Sequence, residues 1–402
     1  MKYSLEDIAA HPNRLAERYS QFRVTERYLL TGHSHQAWPD IALSGMQQAW
    51  EDAAELVDDK WEKAFQKAEE VRAGFSQLLD DEDGYIALGQ NTHELVIRFI
   101  SSLPLKQKPR LITTDGEFHT IRRQLSRLEE EGIEVVRVPS RPVDKVAENI
   151  IRLLDDRVAA VLVSSVFFDT GLINPGIALI AEKCAHAGIQ LLVDAYHSLN
   201  VAPFSVRSMG LQHAFVTGGG YKYCQLGEGN CFLRFPEHYR QGPVITGWFS
   251  EFSLLSGKHG ARVEYGRGPD LFAGSTYDPI SHYRAAEVFR FFSETGLTPG
   301  FLRQVNQHQV GVLLEEFHRL DLPENKIFAD ESANPEGRAG FLVLFSTHSG
   351  AISRELAGAG VLTDYRGNSL RLGPAPYLSD TRLREAMGLL GVAARKVFAC
   401  SH

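Results

Sequence analysis

From about residue 84 to 275, short apolar runs alternate along the chain with longer segments whose apolar residues recur at helical spacing. Tyr85-Ile86-Ala87-Leu88 predicts a strand and Thr92 to Ser102 a helix. Leu111-Ile112-Thr113-Thr114 predicts the next strand, and Thr120 to Glu131 the next helix. The alternation continues with Val135-Val136-Arg137-Val138, a helix Val143–Leu154, Val161-Leu162-Val163-Ser164 and a helix Pro175–Ala187. Two further strand-like runs follow, Ile189-Gln190-Leu191-Leu192-Val193 and Ala214-Phe215-Val216-Thr217. This pattern implies βαβ units, hence a mostly parallel sheet with helices on both faces. The flanks differ. Residues 1 to about 75 read as helical, with Trp38, Trp50 and Trp61 as anchors. From about 280, a helix Ser281–Thr295 leads into a smaller α+β pattern: strand Phe341–Phe345, helix Ala351–Ala359, strands near Val361–Tyr365 and Ser369–Leu372, and a last helix Asp380–Phe398. The expected organisation is a helical segment 1–75 that joins the small domain, a large α/β domain 76–279 and a small domain 280–402.

In an open α/β sheet, ligands bind at the carboxyl ends of the strands. Asn91, Thr92, Phe118, Ser164, Asp194, His197 and Lys222 all follow predicted strands, so one cleft collects them. Asp194 ends one strand and Lys222 follows the next, after Gly218-Gly219-Gly220-Tyr221. A carboxylate and a lysine in that order suit pyridoxal phosphate: the carboxylate keeps the ring nitrogen protonated and the lysine forms the Schiff base. Thr92 opens a helix, where free N–H groups favour a phosphate; Asn91 or Thr92 as an ordinary N-cap is the alternative, and the two roles are compatible. Asp194 as a loop cap, Lys222 as a solvated surface lysine, His197 as a satisfied structural histidine and Phe118 as core are the corresponding bland readings.

Composition narrows the class. The 402 residues, 44% hydrophobic and 23% charged, suit a soluble globular enzyme with two or three domains. A formal charge of −8 argues against nucleic acid or an anionic membrane as the main partner. No apolar run approaches the roughly 20 residues of a transmembrane helix, and the N-terminus turns acidic at once, so a cytoplasmic location is expected. Cys184, Cys224, Cys231 and Cys400 lack any CxxC spacing, and His33 and His35 without further ligands are poor metal evidence. No metal is expected.

Between Asp194-Ala195-Tyr196-His197 and Tyr221-Lys222-Tyr223-Cys224-Gln225-Leu226-Gly227-Glu228-Gly229, the chain resembles the pyridoxal phosphate enzymes of fold type I, and among them the kynureninases of the aminotransferase class V superfamily. Related cysteine desulfurases usually place His before the Lys, so Tyr221 favours the kynureninase branch. Gly247-Trp248-Phe249, Thr276-Tyr277-Asp278-Pro279-Ile280, Ser164 with Thr170-Gly171, and Leu370-Arg371-Leu372-Gly373-Pro374 are similar to further pieces of that family. The resemblance implies that Lys222, Tyr221 and Asp194 are catalytic. It assigns Phe118 to ring stacking, Thr92 and Thr276 to the phosphate, and His197 to the ring or its O3′. Ser164 and Trp248 join the cofactor wall, and Arg371 takes the substrate carboxylate. It also implies a homodimer, with Thr276 reaching the neighbour's cofactor.

The implied reaction is hydrolytic cleavage of a C–C bond in a kynurenine-type γ-keto amino acid. The alternatives are a class V aminotransferase or β-lyase acting on a small amino acid, and a non-catalytic protein on the same fold. Departures cluster where substrate would be read: Gly32-His33-Ser34-His35-Gln36, Ile121, Asp169, and Ser250-Glu251. His33 and His35 are therefore substrate-wall candidates. Asp169 and Glu251, if they face the substrate, point to one more polar than kynurenine.

Overall fold

The structure, a computed structural model, describes residues 2–255, 262–330 and 334–400. Its centre is a seven-stranded sheet. In chain order the strands are β1 (Tyr85–Gly89), β2 (Arg110–Thr114), β3 (Glu134–Val138), β4 (Val158–Ser164), β5 (Gln190–Asp194), β6 (Phe215–Gly219) and β7 (Cys231–Phe235). Their spatial order is β1-β7-β6-β5-β4-β2-β3. Neighbours from β6 through β3 pair in parallel, whereas β7 runs antiparallel to both β6 and β1. The mostly parallel sheet of the sequence reading is thus a mixed one with an antiparallel margin.

Period-two alternation explains why both faces are covered. Val161 and Val163 of β4 and Leu191 and Val193 of β5 enter one core. Ala160, Leu162 and Leu192 enter the other. Helices Thr92–Ser101 and His119–Glu130 supply apolar residues to the second core, and Lys60–Leu79 and Ile177–Ala187 to the first. The Val143–Leu154 expectation resolves into a 3₁₀ turn Val143–Lys145 and a short helix Val146–Ile151.

Strand β7 had no counterpart in the sequence reading. Arg234 interrupts its apolar run and makes it look like a surface segment. In the fold Arg234 is 1% exposed; its Nε donates to Asp81 at 2.7 Å and its Nη1 to the carbonyl of Ala214 at 2.9 Å. A buried guanidinium is tolerated because its donors are satisfied.

The C-terminal part contains a second sheet of β8 (Phe328–Ala329), β9 (Leu342–Phe345), β10 (Asp364–Arg366) and β11 (Ser369–Leu372), in the order β10-β11-β9-β8. Helices Pro299–Arg319, Ser349–Gly358 and Asp380–Cys400 accompany it. Near the other end of the chain, Tyr28–Leu29 pairs in parallel with Val361–Leu362, and Thr31 bridges to Gly373. That pairing carries His33 next to β11. Helix Ile41–Leu56 packs along helix Ile280–Thr295. Among the described residues, no helix is long and apolar enough to cross a membrane.

Candidate active site

A cavity of about 510 Å³ opens at the carboxyl ends of β5 and β6, within the roughly 300–1,000 Å³ usual for small-molecule sites. Asn91, Thr92, Phe118, Asp194, His197, Tyr221 and Lys222 all line it. Asp194 ends β5, and its Oδ1 accepts the Tyr196 N–H at 2.8 Å. Burial raises its carboxyl above the usual range, an effect opposed by that hydrogen bond and by the Lys222 charge. Strand β6 ends on Gly219, where a Cβ would lie 2.5 Å from the Tyr196 hydroxyl. A side chain there would strike the Tyr196 ring, so glycine is needed where the chain leaves β6 toward Lys222.

Lys222 is 6% exposed, and its Nζ lies 2.6 Å from His197 Nε2. Burial brings its pKa down to about 7, against the opposing pull of Asp194. Burial, together with the charge of Lys222, drives His197 well below its ordinary value, so its imidazole is neutral. The Phe118 and Tyr221 rings each stand 5.7 Å from Lys222 Nζ. Burial pushes the Tyr221 phenol up to about 12, so it keeps its proton at neutral pH.

Asn91 caps helix Thr92–Ser101 by accepting the Glu94 N–H at 3.0 Å. The cap is thus observed at Asn91, and it leaves the Thr92 end of the helix on the cavity wall. Gly229 lines the opposite wall at φ +83°, a conformation that favours glycine.

The other candidates fall elsewhere. Ser164 lies behind the wall: its Oγ and N–H both donate to Glu117, at 2.5 and 3.1 Å, and Thr114 Oγ1 donates to the same carboxylate at 2.7 Å. Glu117 was not singled out from the sequence. It is 1% exposed, and burial raises its carboxyl to about 7 despite those donors, with Asp194 adding to the rise. An acidic residue directly before Phe118 at a strand end was the available signal. Trp248 Nε1 donates to Thr276 Oγ1 at 3.3 Å. Thr276 lines a second cavity, which shares Gln90 and His93 with the first. His35 stacks on Tyr221 at 4.7 Å on the exposed side, whereas His33 is buried.

Arg371 is 3% exposed on β11, opposite Asp364 on β10. Its Nη2 donates to Asp364 Oδ2, and its Nη1 donates to the Phe168 carbonyl at 2.6 Å. Neither Asp169 nor Glu251 lines the cavity. Asp169 sits 3.8 Å from Arg141, and Glu251 accepts the Glu264 N–H at 3.1 Å. Asp364 and Glu228 are the carboxylates that lie nearby instead.

These residues fit pyridoxal phosphate. A half-buried carboxylate, Asp194, and a buried lysine with a lowered pKa, Lys222, line one cavity. His197 Nδ1 is buried without a partner, and a capped helix N-terminus lies on the wall. Among the described residues, no cluster suited to a metal ion occurs.

Comparison with known proteins agrees with this geometry. Residues 46–224 match the family described as aminotransferase class-V. The kynureninase of Bacillus cereus is 25% identical over 305 residues, covering 71% of this chain and 67% of that protein. The cysteine desulfurase IscS of Rickettsia akari is 24% identical over 201 residues, 49% of this chain and 48% of that protein. The chain thus spans about half the length of that desulfurase relative. Among solved structures, a C-DES mutant with glycine covalently linked to the pyridoxal phosphate cofactor aligns over 93% of this chain and 98% of its own, with a TM-score of 0.79 at 14% identity. A cysteine desulfurase from Thermococcus onnurineus aligns over 96% and 98%, with a TM-score of 0.78 at 16% identity. At those identities the structural likeness speaks for the fold alone.

Proposed function

Taking the chain as a pyridoxal phosphate-dependent class V enzyme of fold type I, we propose that it is a kynureninase-like hydrolase. On this reading it cleaves the Cβ–Cγ bond of a γ-keto amino acid. The observation that carries the reading is Tyr221 directly before Lys222, its ring 5.7 Å from the lysine nitrogen and its phenol held protonated. When bound, pyridoxal phosphate supplies the electron sink for charge developing at the α-carbon. Asp194 would keep its ring nitrogen protonated, Phe118 would offer a ring to stack on, and the Thr92 helix end would receive its phosphate. Lys222, with its pKa near neutrality, moves the proton at the α-carbon. Water adds to the γ-carbonyl, the Cβ–Cγ bond breaks, and an acid departs. Tyr221 gives its proton to the remaining three-carbon fragment, which leaves as alanine.

The rival within the superfamily is carbon–sulfur cleavage, favoured by the desulfurase relatives. A protein-borne sulfur acceptor needs an accessible thiolate. Cys184, Cys224 and Cys231 are buried, with burial pushing each thiol up to about 12. Cys400 is exposed at the end of the last helix. Cys231 does line the Lys222 cavity, but burial keeps it a protonated thiol rather than a ready thiolate. Incubating the holoenzyme with L-kynurenine, with more polar γ-keto amino acids and with L-cysteine separates the readings. Alanine released together with a carboxylic acid, without any keto-acid acceptor, is expected. Sulfide or persulfide from cysteine with no acid from any γ-keto substrate would overturn the proposal, and a need for a keto-acid acceptor would favour a transaminase. Kynurenine itself is expected to be a poor substrate. Gln90, His93, Thr120 and Glu228 add polar groups to a wall that Phe118, Tyr196 and Tyr221 otherwise make aromatic, and an aminobenzoyl ring would have to cover them.

The proposal includes a homodimer with composite sites, to which Thr276 and Trp248 contribute from the neighbour. Its support is an apolar stretch around them: Val244 is 84% exposed, Ile245 57% and Trp248 46%. Such a patch suits an interface. Light scattering at assay concentration is expected to report twice the chain mass, and an active monomer would contradict it.

A further inference from the structure

Resting on the reading of Arg371 as the carboxylate residue, we propose that Asp364 is a stand-in carboxylate. It occupies the place at Arg371 that the substrate's α-carboxylate takes, so that substrate binds by exchanging with it.

Asp364 and Arg371 are directly opposed in the β10–β11 ladder, which puts both side chains on one face. Arg371 is buried and needs an anion, because an unpaired interior guanidinium is costly. Asp364 supplies that anion, and its carboxylate is held well below the usual range although burial alone would raise it; His33 and Arg371 overcome the burial.

The pair adjoins the reacting lysine by two routes. The Phe341 ring lies 5.6 Å from the Arg371 guanidinium, 4.6 Å from the His33 ring and 6.4 Å from His197, which touches Lys222. On the other side, Arg371 holds the Phe168 carbonyl, and the Phe168 ring is 5.2 Å from Phe118 on the cavity wall. Arg371 Nε is buried without a partner, so the fork is only partly used. On the proposal, that N–H and a neighbouring one form the pair that a substrate carboxylate takes bidentately.

Asp364 is also the member of the pair free to leave. It lies on the outer strand of its sheet, a strand of three residues that ends on exposed Arg366 and is followed by exposed Gly367 and Asn368. Its side chain is already 21% exposed, against 4% for Arg371. When displaced, it gains water at the sheet edge; His33 Nε2 lies 3.5 Å from its Oδ2 without a hydrogen bond, so little else ties it in place. The exchange conserves charge at Arg371. It therefore selects substrates with a free carboxylate over the corresponding amines, which cannot replace Asp364.

The test uses holoenzyme and propionate, a carboxylate with no amine to react at Lys222, titrated by calorimetry. Asp364→Asn removes the internal competitor and is expected to bind propionate at least tenfold more tightly than wild type. Adding Arg371→Lys to that variant is expected to abolish the gain, which locates the anion. Asp364→Ser serves if the Asn variant fails to fold. Equal or weaker propionate binding in a folded Asp364 variant, or none measurable in either, overturns the exchange. Neither result bears on C–C hydrolysis, which is read separately from acid and alanine release.

Discussion

Replacing Asp194 by Asn is expected to leave the fold intact and to slow turnover by at least about a hundredfold, the scale on which preorganised charge contacts act. Asn is nearly isosteric, and its Oδ1 can still accept the Tyr196 N–H that Asp194 accepts at 2.8 Å. The turn after β5 therefore keeps its anchor. What disappears is the negative charge that acts on Lys222, and with it the group proposed to hold a pyridine nitrogen protonated. A neutral amide cannot play that part, so pyridoxal phosphate in the variant would be a much weaker electron sink. Thermal melting should barely change while kcat collapses. Near-normal turnover would mean that Asp194 is only a structural carboxylate closing the loop.

Lys222 should give the largest effect of all. Borohydride reduction of the yellow holoenzyme is expected to fix the cofactor on Lys222, and peptide mapping should find it there alone. Lys222→Ala should carry no covalent label and should lose about a thousandfold or more in rate, the range of a lost acid–base group. Burial underlies both expectations. A lysine with its pKa brought down to about 7 has a substantial neutral fraction at physiological pH, and only a neutral amine is nucleophilic or basic. His197 beside it, itself neutral, adds no competing charge. A label on another lysine would remove the basis for placing the chemistry at the end of β6.

Much of this site is legible in the sequence because it depends on local periodicity. Alternating apolar runs at β4 and β5 announce strands buried on both faces, and strand ends in a parallel sheet converge on one edge. Asp194, Lys222, Phe118 and Thr92 could be assembled from that rule without coordinates, since each lies within a few residues of a strand end. The glycines before Lys222 carry no such rule: only packing shows that a Cβ on Gly219 would strike the Tyr196 ring.

The remainder depends on which distant segments meet, and no local pattern encodes that. Strand β7 was hidden because Arg234 looks exposed until Asp81, far away in the chain, neutralises it at 2.7 Å. Ser164 reads as a cofactor residue; what the sequence does not show is that Glu117 accepts both its hydroxyl and its N–H. Asp169 and Glu251 carry the charge that suggested a polar substrate, but Arg141 and the Glu264 backbone claim them. Asp364 carries no sequence signal at all. Its meaning comes from the pairing of residues 28–29 with 361–362, which lays His33 beside the β10–β11 ladder and closes a buried triad with Arg371. Charge pattern alone says that a carboxylate exists; only burial and the identity of its partner decide whether it faces water, holds an arginine or meets a substrate.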